Sequence, residues 1–206
     1  ALGQLFGEAG GLAGRFGGIV PYWTVVGEIS PYWVERFGFS PGVMVLAGTG
    51  DNPATLLGTG GQAVVSLGSS YTVNGRIDDP SPRDGAEYNT FGFSPPYAMA
   101  LTVITNGAKV HDSFRAQFLG GDAPWREYTD AAGPPAVRED EPLMLPYVLD
   151  ESVPTRRAGI VRAGLDSNDA HANIRALHVS QALSLVNHSE HLSTVDSICM
   201  VGGAAG

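Results

Sequence analysis

The chain has 206 residues, 43% of them apolar, and a formal net charge of −9, which suits a globular protein with one large core or two modest ones. That charge repels a phosphate backbone, and the 12 Lys and Arg residues form no dense patch, so nucleic acid is excluded as a partner. No apolar run approaches the roughly 20 residues of a membrane-spanning helix, the single cysteine (Cys199) rules out an internal disulfide or a cysteine-built metal site, and the start lacks a basic, continuously apolar leader, so the expected setting is the cytoplasm.

Along the chain, the first twenty residues are glycine-rich and aperiodic and read as loop. Ser30-Pro31 then opens a helix predicted to run to Phe37 and to stop at Gly38, with serine as N-cap and proline at the first helical position. After the Pro41-Gly42 turn, Val43 to Ala47 is a short apolar run that suits a strand buried on both faces, ended by Gly48-Thr49-Gly50-Asp51. Asn52 to Leu57 suits a short helix. Ala63 to Leu67 reads as a second buried strand, ending at Gly68-Ser69-Ser70. Tyr71 to Val73 and Ala98 to Val103 read as further strands, and Asn106-Gly107 leads into a helix from Ala108 to about Phe118. Residues 131 to 142, rich in proline and acid, suit a surface loop. Leu143 to Val148 reads as a strand, residues 169 to 192 as a long helix on the spacing of Ile174, Leu177, Ala182, Leu185 and Val186, and Ile198 to Val201 as a strand opening into Gly202-Gly203. The pattern is mixed α/β.

The residues able to carry chemistry sit where apolar runs stop. In α/β sheets, ligands gather at the carboxyl ends of strands, where glycine lets backbone N–H groups approach phosphate oxygens without a Cβ in the way. Taken singly, each loop is also ordinary turn chemistry. A Walker A loop is excluded, because it needs glycine before its lysine and Ser or Thr after it, whereas the single lysine, Lys109, lies between Ala108 and Val110. A bound triphosphate would therefore rely on backbone N–H groups, hydroxyls and a metal ion.

In combination and order, VLAGTGDNPATLLGTG, AVVSLGSS, NGAKVHDSF, LPYVLDESVP and ICMVGGAAG resemble the FGGY carbohydrate kinases. In that family one strand ends in a glycine-aspartate turn, the next in Leu-Gly-Thr-Ser, and a late one in Gly-Gly-Ala. The spelling Gly50-Asp51-Asn52-Pro53-Ala54-Thr55 is most similar to the xylulose kinases, and GEISPYWVERFGFSPG resembles the family's helix ahead of the catalytic strand. The resemblance covers about residues 22 to 206 and is loose from Gly120 to Pro142. It implies the two-lobed actin-like, ribonuclease H-like ATPase fold, a mixed sheet flanked by helices, with sugar and ATP meeting between lobes. Residues 1–57 would be the tail of the N-terminal lobe and residues 58–206 most of the C-terminal lobe. The family's Asp-x-Gly-Thr phosphate hairpin and most of its sugar contacts would then lie outside this segment, which by itself is expected to lack turnover.

The roles follow residue by residue. Asp51 matches the catalytic base that orients the sugar hydroxyl and accepts its proton as ATP, with Mg²⁺, gives up its γ-phosphate. Asn52 would lie beside it at the sugar. On local pattern alone Asp51 reads as the cap of the helix that follows, and the two roles are compatible. Gly68 and Ser69 match the Gly-Thr step at the ATP phosphates, with the hydroxyl kept. Gly107 and His111 match positions lining the nucleotide site, although His111 also suits an exposed helix face. Gly203 and Ala204 match the adenosine pocket. Where the family carries Gly-Glu-Arg-x-x-Pro, this chain has Asp150-Glu151-Ser152-Val153-Pro154, which keeps the glutamate and proline but not the arginine.

The expected reaction is ATP-dependent phosphorylation of a ketopentose, with D-xylulose leading and ribulose, glycerol or another polyol as alternatives. A second reading is a segment that only binds adenine nucleotide or is structural. No protein-held metal is expected, because His188 and His191, with His171 or His178, read as a packed or solvated helix face. Tyr22, Trp23, Tyr32, Trp33 and Phe37 read as core packing, with lining of a sugar site as the alternative. Apolar surface left where the first lobe is cut away would favour a homo-oligomer.

Overall fold

Serine, proline and glycine bracket the first helix as their backbone preferences require. The computed structural model describes residues 18, 20–60, 62–79, 87–93, 97–134, 136–192 and 195–205, so the opening loop assignment lies almost wholly outside the described residues. Helix α1 (Pro31–Phe37) follows an extended Ser30 and closes on Gly38, whose left-handed φ of 74° lets its N–H reach the Val34 carbonyl. The chain forms two compact units, Ala1–Gly50 and Asp51–Gly206.

In the first unit, β1 (Val25–Glu28), which the sequence reading missed, pairs antiparallel with β2 (Met44–Leu46). Two expectations are corrected here. The Val43 to Ala47 run forms its strand but is exposed on both faces, with Met44 65% accessible, because among the described residues of this unit no further layer covers the two-stranded ribbon. The aromatic group is not a core either: α1 buries no residue, and Trp33, Phe37 and Tyr32 pack on one another, Trp33 stacked on Phe37 at 5.1 Å and Tyr32 edge-on to Trp33 at 5.5 Å. Helical i, i+4 spacing brings Trp33 and Phe37 together without any partner element.

The second unit is built on a five-stranded mixed sheet in the order β11-β3-β4-β6-β5. Its strands are β3 (Ala63–Leu67), β4 (Tyr71–Ile77), β5 (Asn89–Gly92), β6 (Ala98–Ile104) and β11 (Cys199–Val201). β11 runs parallel to β3, whereas β4 is antiparallel to both β3 and β6. The strands β3, β6 and β11 therefore point the same way, and Gly68, Thr105 and Gly202, which follow them, come to one end of the sheet. Helix α2 (Asp51–Gly58) covers one face through Leu56, which joins Val64, Met99 and Leu101 in a core cluster. On the other face Val65 and Val73 pack with Leu192 from a 3₁₀ turn (Glu190–Leu192).

A further cluster joins α3 (Ala108–Phe118), α4 (Trp125–Ala132), β7 (Leu143–Tyr147) and α5 (Ala170–Asn187) through Phe114, Tyr128, Met144, Ile174 and Leu177. α3 has the bounds expected. α4 was missed and takes in the first two residues of the supposed surface loop; Tyr128, Ala131 and Ala132 are its buried face. The rest of that loop is tied down, since Arg175 donates to the carbonyls of Ala132, Pro134 and Ala136 and pairs with buried Glu141. The expected long helix ends at Asn187, five residues early, and continues as a turn into the 3₁₀ segment. Two short hairpins complete the unit: β8 (Glu151–Ser152) with β9 (Thr155–Arg156), and β7 with β10 (Gly159–Ala163).

Candidate nucleotide site

At the loop end of the five-stranded sheet, three turns interlock through their backbones. Ala108 donates its N–H to the Gly68 carbonyl (3.0 Å), and Ala204 donates to the Leu67 carbonyl (3.2 Å). The Ser70 hydroxyl donates to the Thr105 carbonyl at 3.3 Å. Glycine is required at two of the junctions. A Cβ on Gly107 would lie 2.6 Å from Tyr71 N and 2.8 Å from Ser69 O, and one on Gly202, at a φ of +103°, would lie 2.7 Å from the Leu67 carbonyl group. Gly203 by contrast faces open space. Thus Gly68, Ser69, Gly107, Gly203 and Ala204, which the sequence singled out, are brought together. They divide by depth: Ser69, Gly203 and Ala204 are exposed, Gly68 is half-buried, and Gly107 lies underneath.

His111 lies deeper still, and the alternative of an exposed helix residue is corrected: it is 8% accessible. Gln181 donates through Nε2 to the carbonyls of Asn106 (2.8 Å) and Gly107 (3.3 Å), which fixes its Oε1 as the acceptor. That oxygen accepts from His111 Nε2 at 2.6 Å and from the Tyr71 hydroxyl at 3.2 Å. His111 therefore carries its proton on Nε2, and its Nδ1 accepts from the Tyr128 hydroxyl at 2.9 Å. Burial, reinforced by the neighbouring His178, pushes the imidazole down to about 4, and burial raises the Tyr71 phenol to about 12. Both rings are neutral members of a polar network in the core, one shell behind Gly107.

The sequence singled out Glu151 only as a retained motif residue, without a role. Its carboxylate is 3% accessible and accepts from the N–H groups of Thr105 (2.6 Å), Asn106 (2.9 Å) and Ser152 (2.8 Å) and from Asn106 Nδ2 (2.9 Å). Burial alone would raise its pKa, but the Asn106 side chain and these N–H donors outweigh it and hold the carboxyl below the usual range. Gln181 was missed altogether; a glutamine at a helix position otherwise apolar (Leu177, Ile174) was the available signal.

Asp51 heads α2 and is exposed. Among the described residues, its carboxylate accepts through Oδ1, from Asn52 N at 2.8 Å and Asn52 Nδ2 at 3.3 Å, while Thr55 Oγ1 donates to its main-chain carbonyl at 2.9 Å. The remaining histidines each go to a different partner: His171 to the Ala131 carbonyl, His178 to the Ile174 carbonyl, His188 to Glu87, and His191 tilted against the Tyr88 ring. Among the described residues, no helix is long and apolar enough to cross a membrane.

This mixed α/β arrangement, with its glycine turns gathered at one sheet end, is the actin-like ATPase fold of the sugar kinases. No family model and no curated protein matches the chain by sequence. Solved structures that it resembles include gluconate kinase from Lactobacillus acidophilus (TM-score 0.79, 18% identity, 90% of this chain and 40% of that one). Ligand-bound xylulose kinase from the same organism (0.77, 19%, 90% and 40%) and a xyloylose kinase from Brucella ovis (0.73, 22%, 89% and 40%) are similar too. The chain thus spans about 40% of the length of these structures.

Proposed function

We propose that this chain is the nucleotide-holding part, with the catalytic base, of an ATP-dependent sugar kinase. The observation that carries the reading is the convergence of the Gly68–Ser70, Thr105–Gly107 and Gly202–Ala204 turns at one end of a sheet whose fold is that of sugar kinases. In this reading the exposed Ser69 hydroxyl and the neighbouring backbone meet the ATP phosphates, and the open backbone at Gly203 and Ala204 lies against adenosine. Gly107 and His111 act from behind: Gly107 lets the turn close on Ser69, and His111 holds Gln181. Mg²⁺ enters in this reading as part of the incoming Mg-ATP, where it offsets phosphate charge.

Asp51 is the proposed base and Asn52 its neighbour at the sugar. α2 packs on the sheet through Leu56, and β3 begins at Ala63, a few residues after α2 ends at Gly58. In this reading α2 runs back along β3 and carries its first residue toward the turn end. There, an exposed carboxylate orients the attacking hydroxyl and takes its proton as the bond to phosphorus forms. D-Xylulose is the leading substrate on the Gly50-Asp51-Asn52-Pro53 spelling. The similar structures include kinases of different sugars, so the fold itself does not choose between them.

The test is ATP-dependent phosphorylation by the complete protein across xylulose, ribulose, gluconate and glycerol. Asp51→Asn is expected to lower kcat by about 100-fold or more while Mg-ATP binding is kept; unchanged turnover would remove Asp51 from the chemistry. Because the chain spans only 40% of the similar structures, a second reading is that the 206 residues alone bind adenine nucleotide without turnover. Calorimetric titration of this segment with Mg-ATP separates the two: heat without product supports it, and no heat rejects it.

A further inference from the structure

We propose that Glu151 is a positioning residue for the nucleotide, setting the turn at Thr105–Gly107 against the loop at Gly68–Ser70. The inference rests on the proposed nucleotide site. Its basis is how completely that turn is held. On the N–H side, the Glu151 carboxylate takes Thr105 N and Ser152 N on Oε1 and both Asn106 N and Asn106 Nδ2 on Oε2. On the carbonyl side, Gln181 takes Asn106 O and Gly107 O. The Asn106 side chain is pinned in turn by the Leu149 backbone, accepting from its N–H at 2.9 Å and donating to its carbonyl at 3.0 Å.

The turn so held abuts the loop that presents Ser69. Gly107 Cα backs onto Ser69 and Ser70 with no room for a methyl group, and Ala108 N reaches the Gly68 carbonyl. Packing this close transmits a displacement instead of absorbing it. A shift of the 105–107 turn therefore moves the exposed Ser69 hydroxyl by a similar amount, and errors near 1 Å in the position of a reacting group cost on the order of 100-fold in rate.

Only an ionised carboxylate fits the position. Four N–H donors converge on two oxygens, and an amide offers a single acceptor oxygen while its NH₂ faces donors that it cannot accept from. The donors themselves keep the buried carboxyl ionised at neutral pH. Glu151→Gln is thus nearly isosteric but turns one end of the clamp into a clash of donors.

The experiment is steady-state kinetics and Mg-ADP calorimetry on the complete protein. Glu151→Gln is expected to raise KM for ATP, and to weaken Mg-ADP binding, by about 10-fold or more, with KM for the sugar unchanged within about 2-fold. Met144→Ala, buried in the separate α3–α5 cluster, serves as a control that lowers Tm comparably and leaves KM for ATP unchanged. If Glu151→Gln is insoluble, Glu151→Asp, which keeps the charge but shortens its reach, is read in the same way. Glu151→Gln that lowers Tm alone, or raises both KM values equally, overturns the positioning role. Wild-type protein that binds no Mg-ADP overturns the nucleotide site itself and, with it, this inference; wild-type binding unaffected by Glu151→Gln overturns only Glu151.

Discussion

Residues 20 to 50 and the turn end of the five-stranded sheet are built from similar short apolar runs punctuated by glycine, yet only the second is a packed structure. In the first unit Val25, Val45, Leu46, Trp33 and Phe37 all lie exposed, whereas Val64, Val73, Met99 and Ala100 of the second are fully covered. The difference lies in partners. A two-stranded ribbon and a seven-residue helix supply no second layer, while β3, β4 and β6 have α2 on one face and α5 with its 3₁₀ extension on the other. Apolar content marks what can be buried, and the number of layers decides whether it is.

The largest effects should come where backbone meets backbone. Gly202→Ala combines a positive φ with a Cβ 2.7 Å from Leu67 and is expected to cost about 3 kcal/mol or more and to abolish nucleotide binding, checked by urea denaturation and calorimetry. The same chemistry in the two regions then tests the comparison directly. Leu56→Ala, at a fully buried site, should cost about 2–5 kcal/mol. Leu46→Ala, half exposed, should cost less than about 1 kcal/mol in the 206-residue chain. If residues 20 to 50 are the tail of a larger lobe, as proposed, the Leu46 value in the complete protein should rise toward that of Leu56, and an unchanged value would break the assignment.

The same contrast explains what the sequence made legible. α3 was readable to the residue because Asn106-Gly107 marks its start and Val110, His111 and Phe114 fall on one face. The glycine turns were legible as a set, since glycine at a strand end means either positive φ or close approach; Gly202 shows both, and Gly107, at a negative φ, shows the close approach. Burial in the first unit was not, because local sequence carries no record of whether another layer exists. β8, β9 and β10 were missed for a related reason: two-residue strands and the half-exposed alternation of Gly159–Ala163 carry little periodicity. The role of Glu151, and Gln181 altogether, escaped because their partners lie 45 and 75 residues away along the chain, a separation that no pattern window spans.

The buried network behind Gly107 gives the comparison a pH signature. His111 is neutral in the fold with its pKa pushed down to about 4, chiefly by burial, and the unfolded chain takes up its proton near 6.5. Between those values the unfolded state binds more protons, so stability falls as pH drops from about 6.5 to about 4, by on the order of 3 kcal/mol from this residue. Half-buried His178 and His191, both lowered by desolvation, act in the same direction. Glu151, lowered in the fold, adds its own loss as pH falls further through the carboxylate range. Denaturation midpoints at pH 7 and pH 5 should therefore differ clearly in wild type and much less in His111→Gln. The first unit holds no histidine, so its α1 signal should not follow this titration.

The smallest effect concerns a helix end far from any turn of the site. Asp169 caps α5 by accepting the Ala172 N–H at 3.0 Å from an exposed position. Asp169→Ala leaves that donor to water and should cost about 1 kcal/mol, while Asp169→Ser, which can still accept the bond, should cost little. Because Gln181 sits on the same helix, the pair of variants also asks whether α5 moves as a unit. Asn173, one turn in, donates from Nδ2 to both the Asp166 and the Asp169 carbonyls at 2.7 Å, and so holds the first turn independently of the cap. The loss should accordingly stay local: Tm falls slightly, and KM for ATP does not change. A larger KM for ATP in Asp169→Ala would mean that the grip of Gln181 on Asn106 and Gly107 depends on the whole length of α5, and that the contrast between the interlocked turns and their surroundings is less sharp than the packing alone implies.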